Sequence, residues 1–282
     1  MISRRALLAG TACALAPRAV AADASGNWRP RQLELREVAV AGSLSRLIVV
    51  GTPRHLAPFE RVPLLVLLHG LGETGDARTG AWAWFERYGL GTGYDALCDS
   101  PSFRGLVLAC PYMPNLPIAD PGALDVYARW IVEVVIPTAR RECPVIDSSP
   151  ATYLGGCSLG GHFSLEVLLR RPEVFSAWGG VQTAIHEAAA VRYAQRLADV
   201  AAHNGPRELL VETSTEDPFR RGSEALSTEL ARLGQGNRFI ELPGPHDQAW
   251  LRSSGTPAML QWFDALPRRE LRPAPIERPL VR

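Results

Sequence analysis

The chain contains no lysine, and it has little of several other features that would point to particular functions. Its 282 residues include 30 basic residues, all of them arginine, and 29 acidic ones, so the formal net charge is +1. Such a balance provides no broad basic surface, which argues against a nucleic-acid partner. The five cysteines form no C-x-x-C motif and no cysteine–histidine spacing typical of zinc. We therefore expect neither a metal nor another cofactor.

No apolar run is long enough to span a bilayer, and the one near the N-terminus has a different interpretation. The apolar residues 6–16 follow Arg4 and Arg5 and precede small residues at 19–22, which is the three-part layout of an export signal. The arginine pair is also typical of bacterial twin-arginine signals. We predict that residues 1–22 direct export to the periplasm or the extracellular space of a bacterium, without stable membrane insertion.

The rest of the chain has the composition of an ordinary globular protein, with 46% hydrophobic and 21% charged residues. It contains no internal repeat and no interdomain linker, so residues 23–266 are predicted to form a single catalytic domain. The Pro/Arg-rich residues 267–282 are predicted to be disordered. An oxidising compartment permits a disulfide, and the sequence leaves open whether Cys98 pairs with Cys143 or Cys110. The oligomeric state is also left open.

Apolar runs alternate with helical patterns along the chain. Residues 31–41 and 44–50 predict an antiparallel pair at a sheet edge. Continuous apolar runs indicate strands that are covered on both faces. Such strands are predicted at residues 63–70, 106–110 and 151–154, and further strands at residues 175–181, 208–213 and 239–242. A helical pattern over residues 124–142 contains Pro137, which should kink it. The order predicts an α/β fold with a mostly parallel central sheet, an antiparallel N-terminal edge and helices on both faces.

Residues 156–160 form a Gly-x-Ser-x-Gly box with Ser158 at its centre. In a nucleophile elbow the serine lies on a tight strand-to-helix turn, and glycine is needed two residues before and after it because a Cβ would clash. Residues 151–154 predict the strand that enters the turn, and residues 162–171 predict the helix that leaves it, before Pro172. This context predicts Ser158 as a nucleophile.

A serine hydroxyl becomes an effective nucleophile when a histidine accepts its proton and an acid orients that histidine. In one known arrangement the serine, the acid and the histidine follow in this order, each after a strand. The chain offers Ser158, then Asp217, then His246 in matching places. Glu216 and Glu212 stay open as alternative acids.

The turn at residues 69–71 follows a buried strand and predicts an oxyanion loop. Such a loop supplies one backbone N–H, and the residue after the nucleophile supplies the other. We therefore expect the N–H groups of Leu71 and Leu159 to be the oxyanion donors. His69 is expected to brace the loop rather than to take part in the chemistry.

Segment 73–105 has weak periodicity and several aromatic residues. Its aromatic side chains either form a wall or lid over the serine, or fill the space beside the sheet, and the sequence leaves both interpretations open. For the substrate pocket, we predict contributions from three aromatic residues: Trp82, Tyr112 and Trp250.

Four of these stretches resemble the esterase D-type family of esterases in the α/β-hydrolase superfamily. They are residues 67–70, 133–137, 156–161 and 171–175. The resemblance extends over residues 33–265 and implies an α/β-hydrolase fold with serine esterase activity and no cofactor.

In the same resemblance, Asp217 and His246 fall where such enzymes carry their acid and base. Cys157 stands where an apolar residue is more common, and segment 73–105 matches no part of the family pattern. Because that segment would define the substrate, the sequence does not identify the ester.

Together, these expectations describe a serine carboxylic-ester hydrolase that works through an acyl-enzyme intermediate. Its partner would be a small-molecule or polymer-linked ester. Two alternatives stay open: an acyltransferase that uses the same three side chains, and a non-catalytic binding protein on the same fold.

Overall fold

The computed structural model describes residues 32–40, 46–117 and 120–267. The predicted export signal at residues 1–22 lies outside the described residues, as does the predicted tail beyond residue 267. The boundaries given to these two segments therefore stay predictions.

The described part of the chain forms one eight-stranded sheet. The strands are β1 (Leu33–Val40), β2 (Arg46–Pro53), β3 (Leu64–Leu68), β4 (Val107–Pro111), β5 (Thr152–Cys157), β6 (Ala177–Val181), β7 (Glu208–Glu216) and β8 (Arg238–Pro245). Their order is β1-β2-β4-β3-β5-β6-β7-β8. β1 and β2 pair antiparallel, as do β2 and β4, and the other neighbours are parallel. The predicted fold class, including the antiparallel N-terminal edge, is confirmed.

Helices cover both faces of the sheet. They are α1 (Ala77–Glu86), α2 (Leu90–Cys98), α3 (Pro121–Trp130), α4 (Ile136–Glu142), α5 (Leu159–Arg170), α6 (Glu187–Asn204), α7 (Arg220–Arg232), the single turn α8 (Gln248–Trp250) and α9 (Thr256–Ala265). Apolar side chains of α3 to α7 pack in the core on one face, and those of α1, α2, α8 and α9 pack on the other. Every residue of β3, β4, β5 and β6 is buried, which explains their uninterrupted apolar runs.

The helix predicted over residues 124–142 is interrupted by a widened turn. α3 and α4 are joined by a π-helical turn, Ile131–Val135, which ends two residues before Pro137. A second π-helical turn, Leu251–Gly255, likewise ends two residues before Pro257. Proline lacks an N–H and clashes with the carbonyl four residues earlier, and a π turn relieves both conflicts.

The aromatic residues of segment 73–105 fill the space beside the sheet. Trp84, Tyr88 and Tyr94 are almost wholly buried in the core that α1 and α2 share with α9. Of the two interpretations left open by the sequence, the structure supports packing and not a lid for these three side chains.

The described cysteines, Cys98, Cys110, Cys143 and Cys157, are all free thiols. The disulfide considered from the sequence is therefore not formed. Burial raises the pKa of the Cys157 thiol far above its ordinary value, so this neighbour of the serine stays protonated and is a poor nucleophile. Among the described helices, none combines the length and apolar character that crossing a bilayer requires.

Candidate active site

Ser158 lies on a strained turn between the end of β5 and the start of α5. Its φ of 53° and ψ of −120° are unusual for a residue other than glycine. A Cβ on Gly156 would lie 2.4 Å from the carbonyl oxygen of Gly160, and one on Gly160 would lie 2.3 Å from that of Leu68. Only glycine fits these contacts, as the sequence pattern predicts for a nucleophile elbow. The Ser158 N–H donates to the carbonyl of Val181 at 2.9 Å, which anchors the turn to β6.

The structure brings Ser158, Asp217 and His246 together at the carboxyl ends of the parallel strands. Nε2 of His246 lies 3.1 Å from Oγ of Ser158, and Nδ1 lies 2.8 Å from Oδ1 of Asp217. The Asp217 side chain is fully buried, whereas that of His246 is 26% exposed. An Nδ1–H that donates to Asp217 leaves Nε2 free to accept the serine proton.

The Asp217 carboxylate is held by two further donors. The Thr213 hydroxyl donates to Oδ2 at 2.7 Å, and the Phe219 N–H donates to Oδ1 at 3.0 Å. Of the alternative acids, Glu216 is exposed, and Glu212 is buried with no partner for either carboxylate oxygen among the described residues. Only Asp217 of the three contacts the imidazole, so the geometry favours it as the orienting acid.

Glu212 has a different character from Asp217. It is fully buried within β7, and burial raises its pKa well above the ordinary value. Burial therefore favours the protonated form of its carboxyl group, because an ionised carboxylate without partners is costly in the interior.

The oxyanion loop predicted from the sequence begins after β3 and contains a single 3₁₀ turn, Leu71–Glu73, the oxyanion turn. Nδ1 of His69 lies 2.9 Å from the Gly70 carbonyl, and Nε2 accepts the Met113 N–H at 2.9 Å. Burial lowers the pKa of His69 to about 4, so the ring is neutral and both contacts are satisfied by one tautomer. His69 therefore braces this loop, as expected.

Leu71 and Leu159 each open a helical turn beside Ser158. The first N–H groups of a helix have no partner within it, so they are available to a developing negative charge. Gly70, the residue before Leu71, packs against the serine: a Cβ on Gly70 would lie 3.8 Å from the Ser158 Cβ.

The three aromatic residues predicted for the pocket lie in different places. Trp82 donates its indole N–H to Glu37 on β1, and β2, β4 and β3 separate that strand from β5. The structure therefore does not bring Trp82 to the serine. Tyr112 stacks on His69 and donates to the Thr74 carbonyl, which places it beneath the oxyanion turn.

Trp250 is 4% exposed and packs against the loop that carries His246, the histidine loop. Its indole N–H donates to the Pro243 carbonyl at 3.0 Å, and its ring packs so closely that a Cβ on Gly244 would lie 2.4 Å away. Trp250 is thus a packing residue and does not form an open pocket wall.

Several neighbours of the site were not identified from the sequence. The Phe219 ring lies edge-on to His246, with centroids 5.8 Å apart. Gln182, with a φ of 47°, donates to the Ser214 hydroxyl at 2.6 Å and to the Pro245 carbonyl at 2.9 Å. It thereby ties β7 to the residue before His246. Gln182 is a polar residue directly after the apolar strand β6, and that position is the signal that could have identified it.

The last residue of the oxyanion turn, Glu73, carries a buried carboxylate. It accepts from the Tyr88 hydroxyl, from Gln248 Nε2 at 3.1 Å and from Arg87 at 3.4 Å. Sequence reasoning missed this group, although Glu73 follows Gly70 by three residues and Gln248 follows His246 by two. In the described part of the chain, no group of three or more histidine, cysteine or acidic side chains is arranged to hold a metal ion.

Comparisons with known proteins agree with this architecture. No protein-family model matches the chain, and no curated protein matches its sequence. Solved structures do match. A ferulic acid esterase superposes with a TM-score of 0.68 at 18% identity, covering 83% of this chain and 98% of that one.

Two further matches have a similar extent. FphF, a fluorophosphonate-binding serine hydrolase of Staphylococcus aureus, has a TM-score of 0.64 at 14% identity and covers 83% of this chain and 99% of its own. The feruloyl esterase module of Clostridium thermocellum, complexed with sinapinate, has a TM-score of 0.64 at 15% identity and covers 88% and 94%. The chain therefore has the α/β-hydrolase fold, and the three solved structures named above are two esterases and a serine hydrolase.

Proposed function

We propose that this protein is a serine esterase that hydrolyses carboxylic esters. The observation that carries the proposal is the position of His246, whose two ring nitrogens lie within hydrogen-bond distance of Ser158 and Asp217. Nucleophile, base and orienting acid in this geometry are suited to acyl transfer.

In the proposed mechanism, His246 accepts the hydroxyl proton of Ser158 as the oxygen attacks the ester carbonyl. The negative charge on the tetrahedral intermediate is stabilised by the N–H groups of Leu71 and Leu159, each worth about 3 kcal/mol in comparable sites. His246 then protonates the leaving alcohol, and an acyl-enzyme is left. Water, deprotonated by His246, attacks the acyl group and restores Ser158.

The substrate is a small-molecule or polymer-linked ester outside the cytoplasm, if residues 1–22 direct export as proposed from the sequence. The structures with a similar fold include one bound to sinapinate, an aromatic acid. Aromatic acyl esters therefore belong in any substrate series, beside simple aliphatic ones.

The decisive assay is the hydrolysis of p-nitrophenyl esters of increasing acyl length, with methyl ferulate included. We expect turnover by the native protein and none above background by Ser158→Ala. If both proteins are equally inert throughout the series, the esterase proposal is wrong. Added acceptor alcohols separate hydrolysis from acyl transfer, because an acyltransferase would form a new ester from them.

A further inference from the structure

The Glu73 carboxylate connects the oxyanion turn to the histidine loop, two parts of the site that are far apart in sequence. Glu73 is itself the last residue of the oxyanion turn and is only 4% exposed. Gln248 Nε2, two residues beyond His246, donates to its Oε1 at 3.1 Å. Arg87 lies 3.4 Å from the same oxygen and provides the opposite charge that a buried carboxylate needs.

Tyr88 connects the same carboxylate to the backbone of the turn. Its hydroxyl donates to Glu73 Oε2 and accepts the Gly70 N–H at 3.2 Å. The bond to Glu73 requires a protonated phenol, and burial, with Cys157 and Glu73 nearby, raises the pKa of Tyr88 far above its ordinary value.

The bond to Gly70 bears directly on the direction of the next amide. Gly70 has extended backbone, with φ of −75° and ψ of −179°. The Tyr88 hydroxyl holds the Gly70 N–H, and with Gly70 in this conformation the position of that amide fixes the direction of the next one, the Leu71 N–H.

We propose that Glu73, together with Tyr88 and Gln248, is a positioning group that fixes the Leu71 N–H for the oxyanion and holds this turn to the loop of His246. This inference rests on the proposed esterase function. An oxyanion donor stabilises the transition state only when it is already directed at the developing charge. Removal of the Tyr88 hydroxyl would leave the Gly70 N–H without its partner and release the turn.

The test is Tyr88→Phe, which removes the hydroxyl and keeps the ring that packs edge-on against Trp84 at 5.2 Å. The matched control is Tyr193→Phe on α6, because the buried Tyr193 hydroxyl also donates to a buried glutamate, Glu166, at 2.6 Å, outside the proposed catalytic groups. Measurements are kcat and KM for p-nitrophenyl acetate, the inhibition constant of an arylboronic acid, and the thermal midpoint of unfolding.

We expect Tyr88→Phe to lower kcat about tenfold or more, with KM changed less than about twofold, because a misdirected donor affects the transition state rather than substrate binding. The boronic acid, which places an oxygen where the oxyanion forms, should bind correspondingly more weakly. Tyr193→Phe should lose similar thermal stability and keep both kinetic values.

A second variant covers the case in which Tyr88→Phe does not fold. Gln248→Met removes the link to the histidine loop at a half-buried position and should lower kcat about threefold, with the same weakening of boronate binding. If the native protein hydrolyses esters and the folded variants keep their kcat and boronate affinity, the inference is wrong and the esterase proposal stands. If the native protein is inert towards every ester, the esterase proposal fails, and this inference fails with it.

Discussion

Two acids on β7 and the loop after it, Glu212 and Asp217, are both buried, and they lie in opposite chemical environments. Asp217 accepts hydrogen bonds from Thr213 and Phe219 and contacts His246. Glu212 has no partner for either oxygen among the described residues, and burial raises its pKa. The difference results from position: Asp217 follows β7 at the rim of the sheet, whereas Glu212 lies within β7 in the interior. Burial alone therefore does not identify a functional acid, whereas burial with converging donors and a histidine does.

The first prediction concerns the acid with partners. Asp217→Asn should lower kcat about 10³- to 10⁴-fold, because the amide no longer holds the Nδ1–H tautomer that leaves Nε2 as acceptor. Steady-state hydrolysis of p-nitrophenyl acetate checks the loss, and circular dichroism checks that the fold is kept. A variant that retains more than about a tenth of native kcat would assign the orienting role to another acid.

The second prediction concerns a donor to that acid. Thr213→Val keeps the shape of the side chain but removes the hydroxyl bond to Asp217, and it should lower kcat about tenfold. It should also destabilise the fold by about 1–3 kcal/mol, since a buried acceptor loses its partner.

The matched control for this change is Thr183→Val. The Thr183 hydroxyl is also buried but has no hydrogen-bond partner among the described residues. Its removal should leave kcat within about twofold of native and should not destabilise the fold. Equal kinetic losses in the two variants would show that the Thr213 bond has no specific role.

The third prediction concerns Glu212, the acid without partners, whose replacement should change stability only. Because the folded pKa of Glu212 lies above the unfolded value, the folded state binds the extra proton, and stability falls as the pH rises above the unfolded pKa of about 4.3. Glu212→Gln removes this penalty. The gain in free energy of unfolding should be absent near pH 4 and increase by up to about 1.4 kcal/mol per pH unit above it.

Denaturant unfolding of both proteins from pH 4 to 8 measures this difference. A Glu212→Gln variant whose stability relative to the native protein does not change with pH would contradict the raised pKa of Glu212. Its kcat should equal that of the native protein, since Glu212 does not contact His246.

The smallest effect is expected at Glu216, the neighbour of Asp217 in sequence. Glu216 is exposed and does not reach the imidazole, so Glu216→Gln should change kcat by less than about twofold. A large loss of kcat in this variant would contradict the geometry, which gives the orienting role to Asp217 and none to Glu216.

These contrasts show which parts of the site a sequence can predict. The elbow at Ser158 was predictable because its close backbone contacts at Gly156 and Gly160 exclude any other residue. The order of Ser158, Asp217 and His246 was predictable because each follows a strand, and the carboxyl ends of parallel strands meet at one rim. These are consequences of backbone geometry, which leaves a local mark in the sequence.

The parts that the sequence does not reveal depend on which loops meet in three dimensions. The sequence predicts Trp82 for the pocket as one of three aromatic residues, whereas its indole donates to Glu37, 45 positions earlier. The contact between Glu73 and Gln248 spans 175 positions and has no periodic signal. A contact of this kind follows from tertiary packing, so residue type and spacing do not reveal it.

The central claim is that Ser158 becomes covalently acylated with the help of His246. Peptide mass spectrometry of the protein treated with a fluorophosphonate probe tests it most directly. The account predicts one label per chain, on Ser158, with no label in Ser158→Ala and much slower labelling in His246→Gln. Ester hydrolysis by a protein that the probe does not label, or a label on another residue, would contradict it.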